Sequence, residues 1–193
     1  VLGFVTNAIA SPYWVVYAVN QIGLSPVQWG LILLVEIAVR NVAYIPAGLL
    51  VDRYGQRRFM LPALVVSLAA LAFFTLSSTF VEVLLIRAVI GAANAFFGPA
   101  SSALIADSVP REMRGRVIAA TQTESVMLGP GAGGTGGPGV GLLVTVPLVI
   151  ASVSGGYLYT ANIYGPWIFA SVTTIISIAI LALYVREPKD VHL

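Results

Sequence analysis

Long apolar stretches alternate with short polar turns along the whole chain. No charged residue occurs within residues 1–35, 59–81 or 125–185. Each stretch is long enough to hold at least one membrane-spanning helix, which needs roughly 20 predominantly apolar residues. A water-soluble domain would need polar surface in every one of them. The pattern therefore predicts an all-α membrane protein.

Turn signals divide the chain into six predicted helices that form a single unit. Ser25 followed by Pro26 is typical of a helix cap and first helical residue. Because the chain starts directly on an apolar run, without Met or a signal-peptide pattern, we interpret it as a fragment whose first helix is cut near its start. The predicted spans cover about 1–20, 26–51, 59–77, 80–106, 140–159 and 166–185. The remaining segments are loops 52–58 and 107–139 and a tail, 186–193.

Composition excludes several classes of function. The chain is 58% hydrophobic and 9% charged, whereas soluble domains carry about 25% charged residues. Cysteine is absent and the single histidine, His192, lies in the tail, so we expect no metal site and no cofactor. A net charge of +2 does not suggest a nucleic-acid partner. An enzyme would need a convergent nucleophile and base within the spans, and none is evident.

Basic residues near the helix ends occur on one side of the predicted bundle only. The first, third and fifth turns contain no Lys or Arg, whereas the second turn, the fourth turn and the tail do. Because basic loops remain in the cytoplasm, these segments and the C-terminus are predicted to be cytoplasmic, in a multi-pass protein of the cell membrane with the lipid bilayer as a partner. The residues concerned are Arg53, Arg57, Arg58, Arg111, Arg114, Arg116, Arg186 and Lys189.

The segment 48–57, between the second and third spans, is charged and contains two glycines. Gly48 would let the second helix approach a neighbour closely, and Gly55 would supply turn geometry that other residues resist. Asp52 precedes the third helix, where negative charge is favoured, and the arginines would hold the turn at anionic headgroups. From these arguments alone the segment is either an ordinary basic loop or a mechanical hinge.

Three motifs resemble those of the major facilitator superfamily, in the family's order. The first is the hinge, Gly48-x-Leu50-x-Asp52-Arg53-x-Gly55-x-Arg57; the second is Leu84-x-x-Arg87-x-x-x-Gly91; the third is Ala106-Asp107-x-x-Pro110-x-x-x-Arg114-Gly115. The resemblance implies six transmembrane helices that form one half of this family's fold.

The same resemblance implies secondary active transport of a small solute by alternating access, with coupling to protons or another ion. It assigns Asp52 to a charge network that latches the cytoplasmic side, and Asp107 to the position of a partner acid. Gln56 departs from the pattern, which usually has a basic residue there, so either Arg53 or Arg57 must substitute or the latch is weaker. The gating-loop candidates are Gly48, Asp52, Arg53, Gly55, Arg57, Arg58, Asp107 and Arg114.

One six-helix half provides only one wall of a substrate cavity, so the expected partner is the other six-helix half of the same polypeptide. Segments 11–14 and 186–188 and the glycine-rich segment 129–141 resemble the C-terminal half of prokaryotic, especially archaeal, members. The alternative is a non-transporting membrane scaffold or assembly protein. Its only candidate docking segment would be the glycine-rich one, because the other turns are short.

Two charged residues fall near the middle of the second span. Glu36 and Arg40 are four residues apart, so they share a helix face and can pair. Each charge alone costs about 2.5–3.5 kcal/mol at the bilayer centre. The pair either neutralises itself and stabilises the bundle, or it faces a cavity. In the second case Glu36 would accept a proton, and Arg40 would hold its charge or bind an anionic group.

Polar residues of the fourth span also have two interpretations each. Arg87 either reaches the surface beside Glu82 or lines the cavity, and Asn94 either bonds to a neighbouring helix or contacts substrate. Gly91, with a small residue four positions later, suits close helix packing. The substrate and proton-coupling candidates are therefore Glu36, Arg40, Asn94 and Arg87.

Two further patterns are interpreted structurally. Gly129, Gly131 and Gly134 match G-x-G-x-x-G but lack the preceding strand that a dinucleotide site requires, so a flexible connector is favoured. Seven aromatic residues lie near the outer ends of the spans and predict an interfacial belt. They are Tyr13, Trp14, Tyr17, Tyr157, Tyr159, Tyr164 and Trp167.

Overall fold

The computed structural model describes residues 2–108 and 142–184, and within these ranges the chain forms helices and no β-strand. Four segments of the described chain are long and apolar enough to cross a membrane: Pro26–Tyr54, Arg57–Leu76, Phe80–Ser101 and Gly165–Leu183. The predicted all-α membrane fold is confirmed. The six helices are α1 (Leu2–Asn20), α2 (Pro26–Tyr54), α3 (Arg57–Leu76), α4 (Phe80–Ser108), α5 (Leu142–Ala161) and α6 (Gly165–Tyr184).

The start and the end of α2 follow from its sequence. Ser25 caps the helix by accepting a hydrogen bond from the Gln28 backbone N–H, while the Gln28 side chain accepts one from the Ser25 N–H. The helix continues through Tyr54, three residues beyond the predicted span. It stops at Gly55, whose φ of 91° is disfavoured for other residues. Only Gly55 and Gln56 therefore separate α2 from α3.

Each helix packs against a distinct set of partners. α2 lies along α4, α3 packs on α4 and on α6, and α1 packs on α5 and on α6. This set of pairs has an internal symmetry. If α1 is exchanged with α4, α2 with α5 and α3 with α6, the same set of pairs results. The α2–α4 pair then becomes α5–α1, and α3–α4 becomes α6–α1. In its largest helix contacts the bundle thus consists of two three-helix units, α1–α3 and α4–α6, with equivalent partners.

An aromatic core fills one end of the bundle, called here the aromatic end. Trp14 and Tyr17 of α1, Phe74 of α3 and Trp167 of α6 are all buried. The ring centroids of Trp14 and Phe74 are 4.2 Å apart, and those of Tyr17 and Trp167 are 4.9 Å apart. The Tyr17 hydroxyl also donates to the Thr75 carbonyl oxygen, at 3.2 Å.

This core corrects the prediction of an interfacial belt. Trp14, Tyr17 and Trp167 face inward, because the helix ends that carry them converge, and only Tyr157 and Tyr164 of the seven are exposed. A smaller core lies at the opposite end, called the hinge end because it adjoins Gly55. It is formed by Val51, Met60, Ala100 and Leu181.

Candidate functional site: a buried ion pair between two helices

Two charged side chains meet inside the bundle between α2 and α4. Both helices begin at the aromatic end, where their first turns share the aromatic core. Glu36 lies about 15 Å along α2 and Arg87 about 10 Å along α4, at 1.5 Å per residue. Both residues therefore lie well inside the length of a membrane span, at nearly the same depth.

Glu36 and Arg87 form an ion pair across the helix contact. Arg87 Nη2 lies 2.5 Å from Glu36 Oε2, and the two side chains are only 13% and 11% exposed. Glu36 Oε2 is itself buried, so solvent screens its attraction to Arg87 only weakly. Leaving either member without its partner in such surroundings would be costly.

This pairing differs from both local pairings that the sequence allowed. Arg40 remains partly exposed and forms no ion pair with the described residues. Glu82 accepts from the backbone N–H groups of Ser78 and Thr79, at 2.8 and 3.1 Å, and so caps α4 instead of pairing with Arg87. Five residues separate Glu82 from Arg87, which places the two side chains on different faces of the helix.

Two tryptophans enclose the guanidinium of Arg87. Its Cζ lies 4.6 Å from the ring centroid of Trp14 on α1 and 5.6 Å from that of Trp29 on α2. Both distances are within the range of cation–π attraction. Both rings are buried, so the charged group lies in largely apolar surroundings supplied by three helices.

Sequence reasoning did not identify these tryptophans as part of the site. A signal existed for Trp29, which precedes Glu36 by seven residues and therefore lies on the same face of α2. Trp14 offered no such signal, because its contact with Arg87 depends on how α1 packs against the bundle.

Glycines allow α2 and α4 to approach closely. A Cβ atom added at Gly91 would lie 2.6 Å from the backbone oxygen of Glu36, and one at Gly98 would lie 2.7 Å from the Tyr44 hydroxyl oxygen. The two contacts are seven or eight residues apart on each helix, that is, two turns. The first of them brings the α4 backbone directly against Glu36.

Asn94 of α4 is partly exposed and makes no hydrogen bond with the described residues. It lies seven residues beyond Arg87 and thus on the same side of α4, two turns closer to the hinge end. Arg40 is displaced in the same direction from Glu36, by one turn. Two of the four candidates, Glu36 and Arg87, thus form the ion pair, and the other two, Arg40 and Asn94, lie between it and the hinge end.

At the hinge, the arginines have different surroundings. Arg57 Nη2 donates to the Ala182 carbonyl oxygen near the end of α6, at 2.6 Å, whereas the Arg53 guanidinium lies 5.4 Å from the Tyr54 ring centroid. Arg58 and Asp52 are exposed, and Asp52 forms no ion pair within the described ranges. Neither Arg53 nor Arg57 thus pairs with Asp52.

No neighbouring helix of the described chain closely approaches Gly48. A Cβ atom added there would meet nothing within 4 Å. The reason is that Gly48 lies on a different face of the helix, since the neighbouring Ala47 and Val51 form the buried face of α2.

Asp107 lies in the last turn of α4. Arg114, the glycine-rich segment and the tail lie outside the described residues.

Comparison with known proteins agrees with the helical fold. The sequence model of the Major Facilitator Superfamily matches residues 1–193. An uncharacterized MFS-type transporter of Bacillus subtilis, YhjO, is 29% identical over 189 residues, which are 97% of this chain and 42% of that protein. A second one, YxaM, is 25% identical over 181 residues, 94% of this chain and 40% of that protein.

The chain thus spans about two fifths of the length of these curated relatives. The match to the family covers every residue, and the helices, the apolar spans and the three motifs agree with it. This chain belongs to the major facilitator superfamily, and it is a multi-pass membrane protein.

Proposed function

We propose that this chain is one six-helix half of a secondary active transporter that moves a small solute by alternating access, coupled to protons or another ion. The observation that carries the proposal is the buried Glu36–Arg87 ion pair. Inside a membrane-spanning bundle such charges are expensive, and they typically mark substrate or ion pathways. Both relatives are named as MFS-type transporters, which supports transport as the activity.

Coupling would operate through the protonation state of Glu36. With Glu36 ionised, Arg87 is held by its partner and the charges of these two residues cancel. When a proton binds the Glu36 carboxylate, the attraction is lost and the guanidinium becomes available to another group. Since the pair joins two helices, its loss would also change the preference of the bundle between two arrangements.

The other half of the same polypeptide would complete the cavity. Support comes from the relatives, of which this chain covers about 40%, and from the family's general arrangement of substrate sites between two repeats. The partly exposed Arg40 and Asn94 would then face that cavity. Within the polypeptide, we propose that this chain is the C-terminal half.

Gating would involve the hinge end, which the positive-inside rule assigns to the cytoplasm, together with the C-terminus. Asp52 would latch to a partner in the other half, since the described residues offer it none. Asp107 and Arg114 would belong to the same network. Gly55 would lie in the moving turn, with Gly48 near the end of α2 and Arg58 at the start of α3 on either side of it. Arg57, by contrast, would keep the start of α3 attached to α6 during the motion.

The test uses the full-length polypeptide in proteoliposomes that enclose a pH-sensitive dye. A panel of solutes is screened for those that cause proton movement. We expect Glu36→Gln to abolish solute-dependent proton movement while leaving membrane insertion intact, because an amide cannot bind the coupling proton.

Glu82→Gln is the matched control, since an amide oxygen can still cap α4 and the residue lies at the aromatic end. It should retain wild-type proton movement. Unchanged proton movement in Glu36→Gln would remove Glu36 from the mechanism. A complete lack of solute flux in the wild type across the panel would contradict the transport function.

A further inference from the structure

The charges inside the helix pair α2–α4 do not balance. Between the capping residue Glu82 at one end and Asp52 at the other, the described residues of these helices include one acid, Glu36, and two cations, Arg40 and Arg87. The α1 and α5 sequences contain no charged residue that could compensate. The region therefore carries one positive charge in excess, which is unfavourable in membrane surroundings.

Arg87 also has unused hydrogen-bonding capacity. A guanidinium has five N–H donors in a planar fork, and Glu36 is approached by one of its terminal nitrogens. The Nε atom is buried and has no hydrogen-bond acceptor in the described part of the chain. Buried donors are rarely left in this condition in native structures, so the arrangement fits a group that accepts an additional ligand.

The surroundings of this fork favour one kind of ligand. Planar forks of this type recognise carboxylate and phosphate oxygens in a bidentate manner. The Trp14 and Trp29 rings beside the guanidinium form an apolar wall, which is suited to a ligand with a carbon skeleton. A cationic ligand would instead add a second positive charge to a region that already has one in excess.

We infer that the solute bound at this site is an organic oxyanion, held by the guanidinium of Arg87 in the position that Glu36 occupies in this structure. The inference rests on the proposed transport function and adds its substrate class. A proton that binds the Glu36 carboxylate releases Arg87, and the anion's oxygens then accept from the Nε and Nη donors. Arg40, one turn from Glu36, contributes the second positive charge. Anion and proton thus occupy the site together.

The test is equilibrium binding to the full-length polypeptide in detergent, measured as the shift of its melting temperature at increasing ligand concentration. The anionic probes are benzoate, succinate and phenyl phosphate. Benzylammonium and benzamide match benzoate in shape but are cationic and neutral. We expect at least one anion to raise the melting temperature, and the cation and the amide to leave it unchanged.

Two variants are expected to change the affinity for the anion in opposite directions. Glu36→Gln removes the internal competitor for Arg87, so the anion should bind tighter, by about tenfold, the equivalent of one charge-assisted contact. Arg87→Gln should weaken it about tenfold or more for the same reason. Glu82→Gln should bind the anion as the wild type does, and size-exclusion profiles of all variants establish that they are folded.

Several results would overturn the inference. These are stabilisation by benzylammonium in place of the anions, no shift with any anion, or weaker anion binding in Glu36→Gln. The binding assay needs no gradient, so its outcome is separate from that of the flux measurement. Proton-coupled flux of a cation would agree with the proposed transport function and refute the oxyanion as substrate. Anion binding without flux would support the oxyanion as ligand and contradict the transport function.

Discussion

Gly91 of α4 lies directly against Glu36 of α2, so close that a methyl group on Gly91 would stand 2.6 Å from the Glu36 backbone oxygen. The obstacle is backbone and not a flexible side-chain end, so it cannot simply rotate away. Gly91 is thus one of two glycines that allow the close α2–α4 approach, and it is the one that lies against the backbone of Glu36.

Replacing Gly91 by Ala should therefore force α2 and α4 apart. We expect a loss of about 1–3 kcal/mol in the free energy of unfolding, as for other overpacked contacts, and a weaker Glu36–Arg87 pair. Unfolding of the full-length polypeptide in detergent measures the first effect, and solute-dependent proton movement measures the second.

Gly30→Ala is the control, because a Cβ atom added at Gly30 on the same α2 helix meets nothing within 4 Å. It should be neutral or slightly stabilising, since Ala is the better helix former. Equal destabilisation by the two substitutions would mean that the close α2–α4 contact does not determine stability.

The Trp14 ring should stabilise the charged form of Arg87 as well as the aromatic core. We expect Trp14→Leu to lower the free energy of unfolding by about 2–4 kcal/mol, through the loss of packing against Phe74 and of the cation–π contact. Trp14→Phe keeps an aromatic face and should lose about half as much. Melting curves of the two variants compare them, and identical losses would exclude a contribution from the ring–cation contact.

Arg57 and its neighbour Arg58 offer a matched pair at the hinge. Arg57→Gln removes the hydrogen bond to the Ala182 carbonyl oxygen, and we expect it to cost about 1 kcal/mol. It should also speed amide hydrogen exchange in the last turns of α6. Arg58 is exposed and makes no such bond, so Arg58→Gln should stay within about 0.5 kcal/mol.

Hydrogen exchange followed by mass spectrometry resolves the two variants by segment. Faster exchange in α6 for Arg58→Gln, with none for Arg57→Gln, would contradict the assigned attachment between α3 and α6.

Much of the fold could be predicted from the sequence, because membrane helices are determined by local composition. The all-α membrane fold and the family are confirmed. The helix α2 continues three residues beyond the predicted span, since Asp52 and Arg53 are compatible with a helix and Gly55 stops it.

The candidate site was predicted less completely. The sequence identifies Glu36 and Arg87 as unusual charges, but the partners that it offers them are the nearby Arg40 and Glu82, and it gives no indication that they pair with each other. Their actual pairing depends on the depth at which α4 packs against α2, and this depends on Gly91. A contact between segments far apart in the chain leaves no repeating pattern in a single sequence. The inward direction of the Trp14 ring could not be predicted for the same reason.

The two three-helix units pack alike, yet they differ in chemistry. The α1–α5 contact corresponds to the α2–α4 contact, with Gly155 against the Ile9 backbone oxygen at 3.0 Å for an added Cβ, but it contains no Asp, Glu, Lys, Arg or His. Separating α1 from α5 would break no contact between charged side chains of these helices, whereas separating α2 from α4 must first neutralise or replace an ion pair. Under the proposed coupling, protonation of Glu36 would weaken the contact in one three-helix unit and leave the corresponding contact in the other unit unchanged.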